Sequence, residues 1–127
     1  MTAQPLSRRF ILVIEDEPGI RSIIDRLLKQ FGYPTLLAAS GSEALRLFDM
    51  HAPDIALVLL DWTMPGIGGK QTLAELLARR PELRVILVTG SREATTDDEA
   101  TQGTISILLK PFTPTELMLA VRTVLEA

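Results

Sequence analysis

The chain has 127 residues, of which 46% are hydrophobic and 23% are charged, with a net charge of −3 at pH 7 and no cysteine. This length and composition fit one folded domain and exclude an intrinsically disordered chain. The slightly acidic balance predicts no direct binding of nucleic acid or anionic lipid, and the absence of thiols excludes disulfides, thiolate metal sites and thiol catalysis.

The N-terminus predicts neither a membrane anchor nor a secretory signal. Residues 1–8 are expected to form a short flexible lead before a folded region at 9–126. The longest uninterrupted apolar run, Ile55–Leu60, is far shorter than a membrane span. The run Phe10–Ile14 is followed at once by acidic residues, which a secretory signal does not tolerate. We therefore expect a cytoplasmic protein.

Short apolar runs alternate with segments of helical periodicity along the chain. The runs are rich in Ile, Val and Leu, and most show no alternation of apolar and polar residues, which is typical of strands buried on both faces. They are Phe10–Ile14, Thr35–Ala39, Ile55–Leu60, Val85–Val88 and Ile105–Leu109. The repeated β-α order predicts a parallel sheet with helices on both faces.

Four segments carry one apolar stripe each at helical spacing, within residues 20–31, 44–48, 73–77 and 117–125. Gly32 is a typical stop signal after the first stripe, and residues 113–116 predict a capping box before the last. The segment Arg92–Gln102 has only two apolar residues and is expected to be a marginal exposed helix or a loop. The arginines at 79, 80 and 84 are expected to form a solvated surface set, and the glycines at 66, 68 and 69 a flexible loop.

Polar residues follow or end four of the five apolar runs. Glu15 and Asp16 follow the first run, Asp61 the third, Thr89 the fourth and Lys110 the fifth. Ligands of open parallel sheets bind beyond the carboxyl ends of the strands, so these side chains are expected at one edge. Carboxylates that meet there repel one another unless a cation neutralises them. Oxygen ligands favour a hard divalent ion, Mg²⁺ before Zn²⁺.

The same residues suit phosphoryl chemistry. A lysine ammonium and a threonine hydroxyl bind phosphate oxygens, and a carboxylate such as that of Asp61 can attack phosphorus to give an aspartyl phosphate. The set therefore indicates a site in which a protein side chain receives a phosphoryl group. Taken one at a time, these features have plainer interpretations: Glu15–Glu17 as a solvated turn before a helix, Met64–Gly66 as a simple turn and Lys110 as a surface lysine.

Four segments, Ile11–Pro18, Leu59–Gly66, Val88–Gly90 and Leu109–Phe112, occur in an order and spacing that identify a family. Over essentially residues 9–126 the chain resembles the receiver domain of two-component response regulators. This resemblance implies a flavodoxin-like (βα)5 three-layer α/β sandwich whose five-stranded parallel sheet has the order 2-1-3-4-5.

The resemblance also implies a role for each acidic residue. Asp61 would be the phosphoacceptor. Asp16 would ligate Mg²⁺ directly, and Glu15 would act mainly through water. The backbone carbonyl of Thr63 would be a further ligand, beside Asp61 itself.

On the opposite side of the site, Thr89 would hydrogen-bond a phosphoryl oxygen and Lys110 would pair with it, and the Lys110–Pro111 bond is expected to be cis. In the family, an aromatic residue three positions before the lysine usually moves inward with the Thr hydroxyl on phosphorylation. It thereby remodels the face formed by the fourth helix, fifth strand and fifth helix, through which a phosphorylation-linked dimer can form. Here that position is Ile107.

The function implied is that of a signalling domain, not an enzyme, that takes a phosphoryl group from a sensor histidine kinase or a histidine phosphotransfer protein. Because no output segment is seen after residue 127, we expect either a stand-alone regulator or the receiver of a larger protein such as a hybrid histidine kinase. Ile107 in place of the switch aromatic favours the second context, as part of a phosphorelay. The alternatives are a Mg²⁺-dependent phosphatase acting through Asp61, a receiver-like interaction module without phosphorylation, and, as the weakest, a flavodoxin-like FMN binder.

Overall fold

Five parallel strands form the centre of the protein, whose computed structural model describes residues 10–90 and 105–126. The strands are β1 (Phe10–Ile14), β2 (Thr35–Ala38), β3 (Ile55–Asp61), β4 (Val85–Thr89) and β5 (Ile105–Leu109). The helices are α1 (Pro18–Gln30), α2 (Gly41–His51), α3 (Gly68–Arg79) and α4 (Pro114–Glu126), and a short 3-10 turn spans Ala52–Asp54.

The sheet has the order β2-β1-β3-β4-β5 with parallel pairing throughout. This confirms the predicted order and the α/β fold class. The reversal of strand order at β1 places β1 beside β3, so Ile14 is level with Leu60. On the other side of β3, Asp61 is level with Val88 of β4. The ends of the three central strands therefore meet at one edge.

Strands β1, β3, β4 and β5 each contribute to two apolar cores, one on each face of the sheet, whereas β2 contributes to one of them. In β1, Leu12 and Ile14 pack against helices α2 and α3, whereas Ile11 and Val13 pack against α1 and α4. All four side chains are at most 1% exposed. Burial on both faces explains why the strands are continuous apolar runs and not alternating ones. The result is a three-layer arrangement in which the described residues form two helices on each side of the sheet.

The helix ends follow the predicted signals. Gly32 comes directly after the last capping residue of α1 and has a φ of 93°, a conformation that glycine adopts without strain. Before α4, the backbone N–H of Glu116 donates to Oγ1 of Thr113 at 3.0 Å, and the N–H of Thr113 donates to Oε1 of Glu116 at 2.8 Å. This reciprocal pair is the predicted capping box.

The arginines after α3 were predicted to be solvated, and for Arg80 this is wrong. Its side chain is buried, donates to the carbonyls of Ile55 and Ala52, and lies 5.1 Å from the ring centre of Phe48. Arg84 donates to the carbonyl of Val124, near the end of α4, at 2.8 Å. Backbone carbonyls at element ends need donors, and a long guanidinium reaches them across the fold.

Two of the predicted segments, the lead at 1–8 and the segment Arg92–Gln102, lie outside the described residues. Within residues 10–90 and 105–126, every helix is too short or too polar to cross a membrane.

Candidate functional site

The candidate site lies where the chain leaves the carboxyl ends of β1, β3, β4 and β5. Hydrogen bonds between strands continue to the last residues and beyond: Glu15 N–H donates to the carbonyl of Ala38 at 3.0 Å, and Lys110 N–H donates to that of Thr89 at 2.8 Å. The backbone at Glu15 and Lys110 is therefore joined to the sheet by hydrogen bonds. A polar side chain at such a position is held by the hydrogen-bonded backbone at the sheet edge.

Three carboxylates meet at this edge. Glu15, Asp16 and Asp61 each have a carboxylate oxygen within 4.8 Å of those of the other two. Glu15 and Asp61 are only 2% and 3% exposed, and Asp16 is more accessible. Two buried acids so close together are unfavourable unless a cation is present. The donor set consists of hard oxygen ligands with one open side, which fits Mg²⁺.

Lys110 partly meets this need for positive charge. Its ammonium nitrogen lies 3.3 Å from Oδ1 of Asp61 and 3.8 Å from Oε1 of Glu15. The following Lys110–Pro111 peptide bond is cis, as predicted. With every group ionised, three carboxylates and this one ammonium leave a charge of −2. A divalent cation would neutralise that charge.

The carboxylate of Asp61 is oriented through one of its oxygens. The backbone N–H of Thr63 donates to Oδ1 at 3.2 Å, and the ammonium of Lys110 approaches the same atom at 3.3 Å. The other oxygen, Oδ2, receives neither bond. The side chain is thus fixed in direction, while one oxygen is not used by these two donors.

The electrostatics of the site are reflected in Glu15. The pKa of its carboxyl is raised from 4.5 to about 7, mainly by burial and in addition by the neighbouring Asp61. The N–H of Glu17, which donates to Oε2 of Glu15 at 3.2 Å, and the charge of Lys110 act in the opposite direction. Positive charge at this edge falls short of the negative charge, so the site has an affinity for a proton or a metal ion.

The two threonines lie where the sequence predicts. Thr89 is buried at the end of β4, directly after Val88, the partner of Asp61 across the sheet. Thr63 lies two residues beyond Asp61 and is exposed. The fold therefore brings all the predicted site residues to one edge. The roles of the Thr89 hydroxyl and the Thr63 carbonyl stay predictions.

The loop after Asp61 is shaped by close packing. Gly66 and Gly68 have φ values of 80° and 75°, which suit a turn. Gly69 is different, because a Cβ there would lie 2.5 Å from the carbonyl oxygen of Trp62. The predicted flexible-loop role is wrong for Gly69, which lets the first turn of α3 pack on the backbone next to Asp61.

Arg21 contacts the site loop and was not predicted. From the first turns of α1, its guanidinium donates to the carbonyl of Glu15 at 2.8 Å and approaches that of Asp16 at 3.5 Å. One feature of the sequence could have indicated this contact. The N-terminal end of a helix favours acidic residues, so an arginine there is unfavourable unless it has a specific partner.

The comparison with known families agrees with this geometry. Residues 11–122 match the model of the response regulator receiver domain. The chain therefore belongs to the receiver domains of response regulators, which are signalling modules of two-component systems.

Curated relatives differ in length. The chain is 32% identical over 121 residues to the probable transcriptional regulator ycf27 of Cyanophora paradoxa, with 94% of this chain and 49% of the relative covered. It is 34% identical over 113 residues to sporulation initiation phosphotransferase F of Bacillus subtilis, with 88% and 90% covered. The chain thus spans about half the length of the first relative and nearly all of the second.

Solved structures show the same fold. A response regulator receiver domain protein from Clostridium thermocellum superposes with a TM-score of 0.84 at 32% identity, covering 92% of this chain and 94% of the other. The receiver domain of the hybrid histidine kinase CckA gives 0.79 at 32% identity, with 91% and 98% covered. TrrA from Thermotoga maritima, solved in complex with Mg²⁺-BeF, gives 0.80 at 31% identity, with 91% and 98% covered.

Proposed function

We propose that this receiver domain accepts a phosphoryl group on Asp61, with Mg²⁺ bound at the same edge. The observation that carries the proposal is the setting of Asp61: a buried carboxylate, oriented by Thr63 and Lys110, within a group of three acids. A buried and oriented carboxylate is a suitable nucleophile when its charge is balanced. The family of the chain supports this assignment.

Glu15, Asp16 and Asp61 would hold the metal ion, with the backbone carbonyl of Thr63 as a further ligand. When bound there, the ion would supply positive charge that balances the acids and attracts phosphoryl oxygens. The TrrA structure supports this choice, since that relative was solved with Mg²⁺ and a beryllium fluoride group.

The chemical step is a transfer from nitrogen to oxygen. An oxygen of Asp61, which we assign as Oδ2, attacks phosphorus as the P–N bond of a phosphohistidine breaks. A new P–O bond forms, and the electron pair of the broken bond stays on the imidazole of the donor. The ammonium of Lys110 stabilises the negative charge of the phosphoryl oxygens, and the hydroxyl of Thr89 donates a hydrogen bond to one of them.

Hydrolysis of the acyl phosphate returns the domain to its starting state. Because the phosphoryl group stays bound to the protein until water or a next protein removes it, the domain would act as a signalling module. We expect the exchange to take place in the cytoplasm, where ATP charges the histidine of the donor.

The donor would be a sensor histidine kinase or a histidine phosphotransfer protein, and an apolar groove beside the site supports a protein donor. The groove has a volume of about 440 Å³ and is lined by Ile20, Ile23, Ile24, Lys110, Pro111 and Phe112. Ile23 is 57% exposed, although large apolar side chains gain stability from burial. Since Lys110 belongs to both the groove and the site, a protein that brings its phosphohistidine to Asp61 would cover this groove.

We further propose that the domain serves a phosphorelay as the receiver of a hybrid histidine kinase. Ile107, on β5, stands where an aromatic residue usually accompanies the switch, which suits transfer of the group to a next protein more than remodelling of an output face. The likeness to the receiver of CckA supports this context. The phosphatase alternative has less support, because position 63, two residues after Asp61, holds a threonine and not a second acid.

A direct test is to incubate the protein with acetyl phosphate and Mg²⁺ and to measure its intact mass. We expect one phosphoryl adduct on the native protein, and none after chelation of the metal or in Asp61→Asn. An adduct of equal amount in Asp61→Asn would refute the assignment. Sustained release of product from a generic phosphoester would favour the phosphatase instead.

A further inference from the structure

Arg21 is a charged side chain that the proposed chemistry does not use. It is half-buried near the start of α1, and both hydrogen bonds described for its guanidinium end on backbone carbonyls, those of Glu15 and Asp16. A cation near a helix N-terminus interacts unfavourably with the helix dipole. Its position is therefore explained by the carbonyls that it contacts.

Those carbonyls belong to two residues whose carboxylates face the proposed cation. The opposite side of the same turn is also held: Glu17 N–H donates to Oε2 of Glu15, and the carboxylate of Glu17 accepts from Gly19 N–H, both at 3.2 Å. The turn between β1 and α1 is thus held by two sets of hydrogen bonds. Arg21 binds its backbone carbonyls, and the carboxylates of Glu15 and Glu17 accept from the backbone N–H groups of Glu17 and Gly19.

The guanidinium acts on the acids through their backbone. Among the described residues, the ammonium of Lys110 is the cation that contacts the carboxylates of Glu15 and Asp61. Arg21 hydrogen-bonds no carboxylate within that same part of the chain. The acidic oxygens therefore remain available to a metal ion, while Arg21 restricts the backbone that carries them.

We propose that Arg21 is a positioning residue for the metal ion: by holding the Glu15 and Asp16 carbonyls, it preorganises their carboxylates for a divalent cation. This inference rests on the proposed Mg²⁺ site. Groups one step removed from a metal that orient its ligands typically contribute 10- to 100-fold to its affinity. Simple charge repulsion has the opposite sign, because loss of a nearby cation would tighten metal binding.

The test is calorimetric titration of Mg²⁺ into the folded protein, with the fluorescence of Trp62, next to Asp61, as a second readout. We expect Arg21→Met to raise the Kd for Mg²⁺ about tenfold. Arg21→Lys, which retains one donor group, should lie between it and the native protein. The control is Arg26→Met on the exposed side of the same helix, which should leave the Kd unchanged.

Two further measurements distinguish a role of Arg21 in metal binding from a role in stability alone. The thermal midpoint of each variant is recorded without metal, and phosphorylation by acetyl phosphate is followed across Mg²⁺ concentrations. Weaker metal binding alone shifts the Mg²⁺ dependence but leaves the rate at saturation near that of the native protein. If Arg21→Met does not fold, Arg21→Lys tests the same point, with a smaller expected increase in the Kd for Mg²⁺.

An unchanged or lower Kd in a folded variant would overturn the proposal. If the native protein itself binds no Mg²⁺, the proposed function fails at its metal site. If the native protein binds Mg²⁺ and the variants bind it equally well, the role of Arg21 alone is wrong.

Discussion

The ammonium nitrogen of Lys110 lies 3.3 Å from Oδ1 of Asp61, across the ends of two strands that are separated by β4. The two residues are 49 positions apart in the chain, and only the parallel sheet brings them together. This pair joins the proposed nucleophile to the cation that would stabilise the transferred group. The following predictions depend on this arrangement and on the residues around it.

Replacing Lys110 tests its part in the transfer. Lys110→Met should slow phosphorylation by acetyl phosphate at saturating Mg²⁺ by about 100-fold, because an oriented charge that stabilises the transferred oxygens is lost. Time-resolved intact-mass measurements follow the rate. Lys70→Met is the control, since Lys70 is exposed on α3. Phosphorylation of Lys110→Met at the native rate would show that the ammonium plays no part in the reaction.

Glu15 should destabilise the metal-free protein. The pKa of its carboxyl is about 7 in the folded protein and 4.5 in the absence of the fold. The folded state therefore binds this proton more tightly, and the contribution of Glu15 to the unfolding free energy falls as the pH rises from about 4.5 to about 7. Glu15→Gln keeps an oxygen for the N–H of Glu17 and removes the charge. At pH 8 without metal, its thermal midpoint should exceed the native one by about 3–6 °C.

Calorimetry or circular dichroism measures that difference, and Mg²⁺ should reduce it by stabilising the native protein more than the variant. An equal or lower midpoint for Glu15→Gln in metal-free buffer at pH 8 would contradict the account of repulsion at this site.

Ile23 distinguishes a protein donor from a small one. Ile23→Glu places a charge in the apolar groove and should reduce phosphotransfer from a phosphorylated kinase or phosphotransfer protein about tenfold or more. Phosphorylation by acetyl phosphate should be unaffected. Met50→Glu is the matched control, because Met50 is also an exposed apolar residue but lies on α2. Equal losses with both donors would place the effect in the site and not in docking.

Gly69 tests the packing next to Asp61. Gly69→Ala forces a methyl group against the backbone of Trp62, and the unfolding free energy should fall by about 1–3 kcal/mol. Gly90→Ala is the control, since a Cβ there meets no atom of residues 10–90 and 105–126 within 4 Å. Urea unfolding followed through Trp62 fluorescence measures both. Similar stability for the two variants would show that the turn of α3 can shift without strain.

The sequence predicts the sheet well because each strand can be recognised from its own short run of residues. A strand buried on both faces must be apolar along its whole length, and the first polar residue after it marks its end. Asp61, which completes β3, and Lys110, which follows β5, were therefore predicted at one edge, and the structure places them there. Parallel pairing converts that local signal into a long-range contact.

Contacts that depend on where a long side chain ends are not local and were missed. Arg80 and Arg21 look like surface arginines in the sequence, yet each donates to backbone carbonyls of a distant or folded-back segment. Gly69 was missed for a similar reason, because its need for a small side chain comes from a helix that lies against Trp62. Such positions become visible only when the path of the backbone is known.

The central claim is that Asp61 itself receives the phosphoryl group. Borohydride reduction converts an aspartyl phosphate to homoserine, so peptide mass spectrometry after treatment with acetyl phosphate and Mg²⁺ locates the acceptor. We expect homoserine at position 61, and none when the metal is chelated. Homoserine at Asp16 or at another aspartate, a reduced glutamate, or no reduced residue at all would contradict the account.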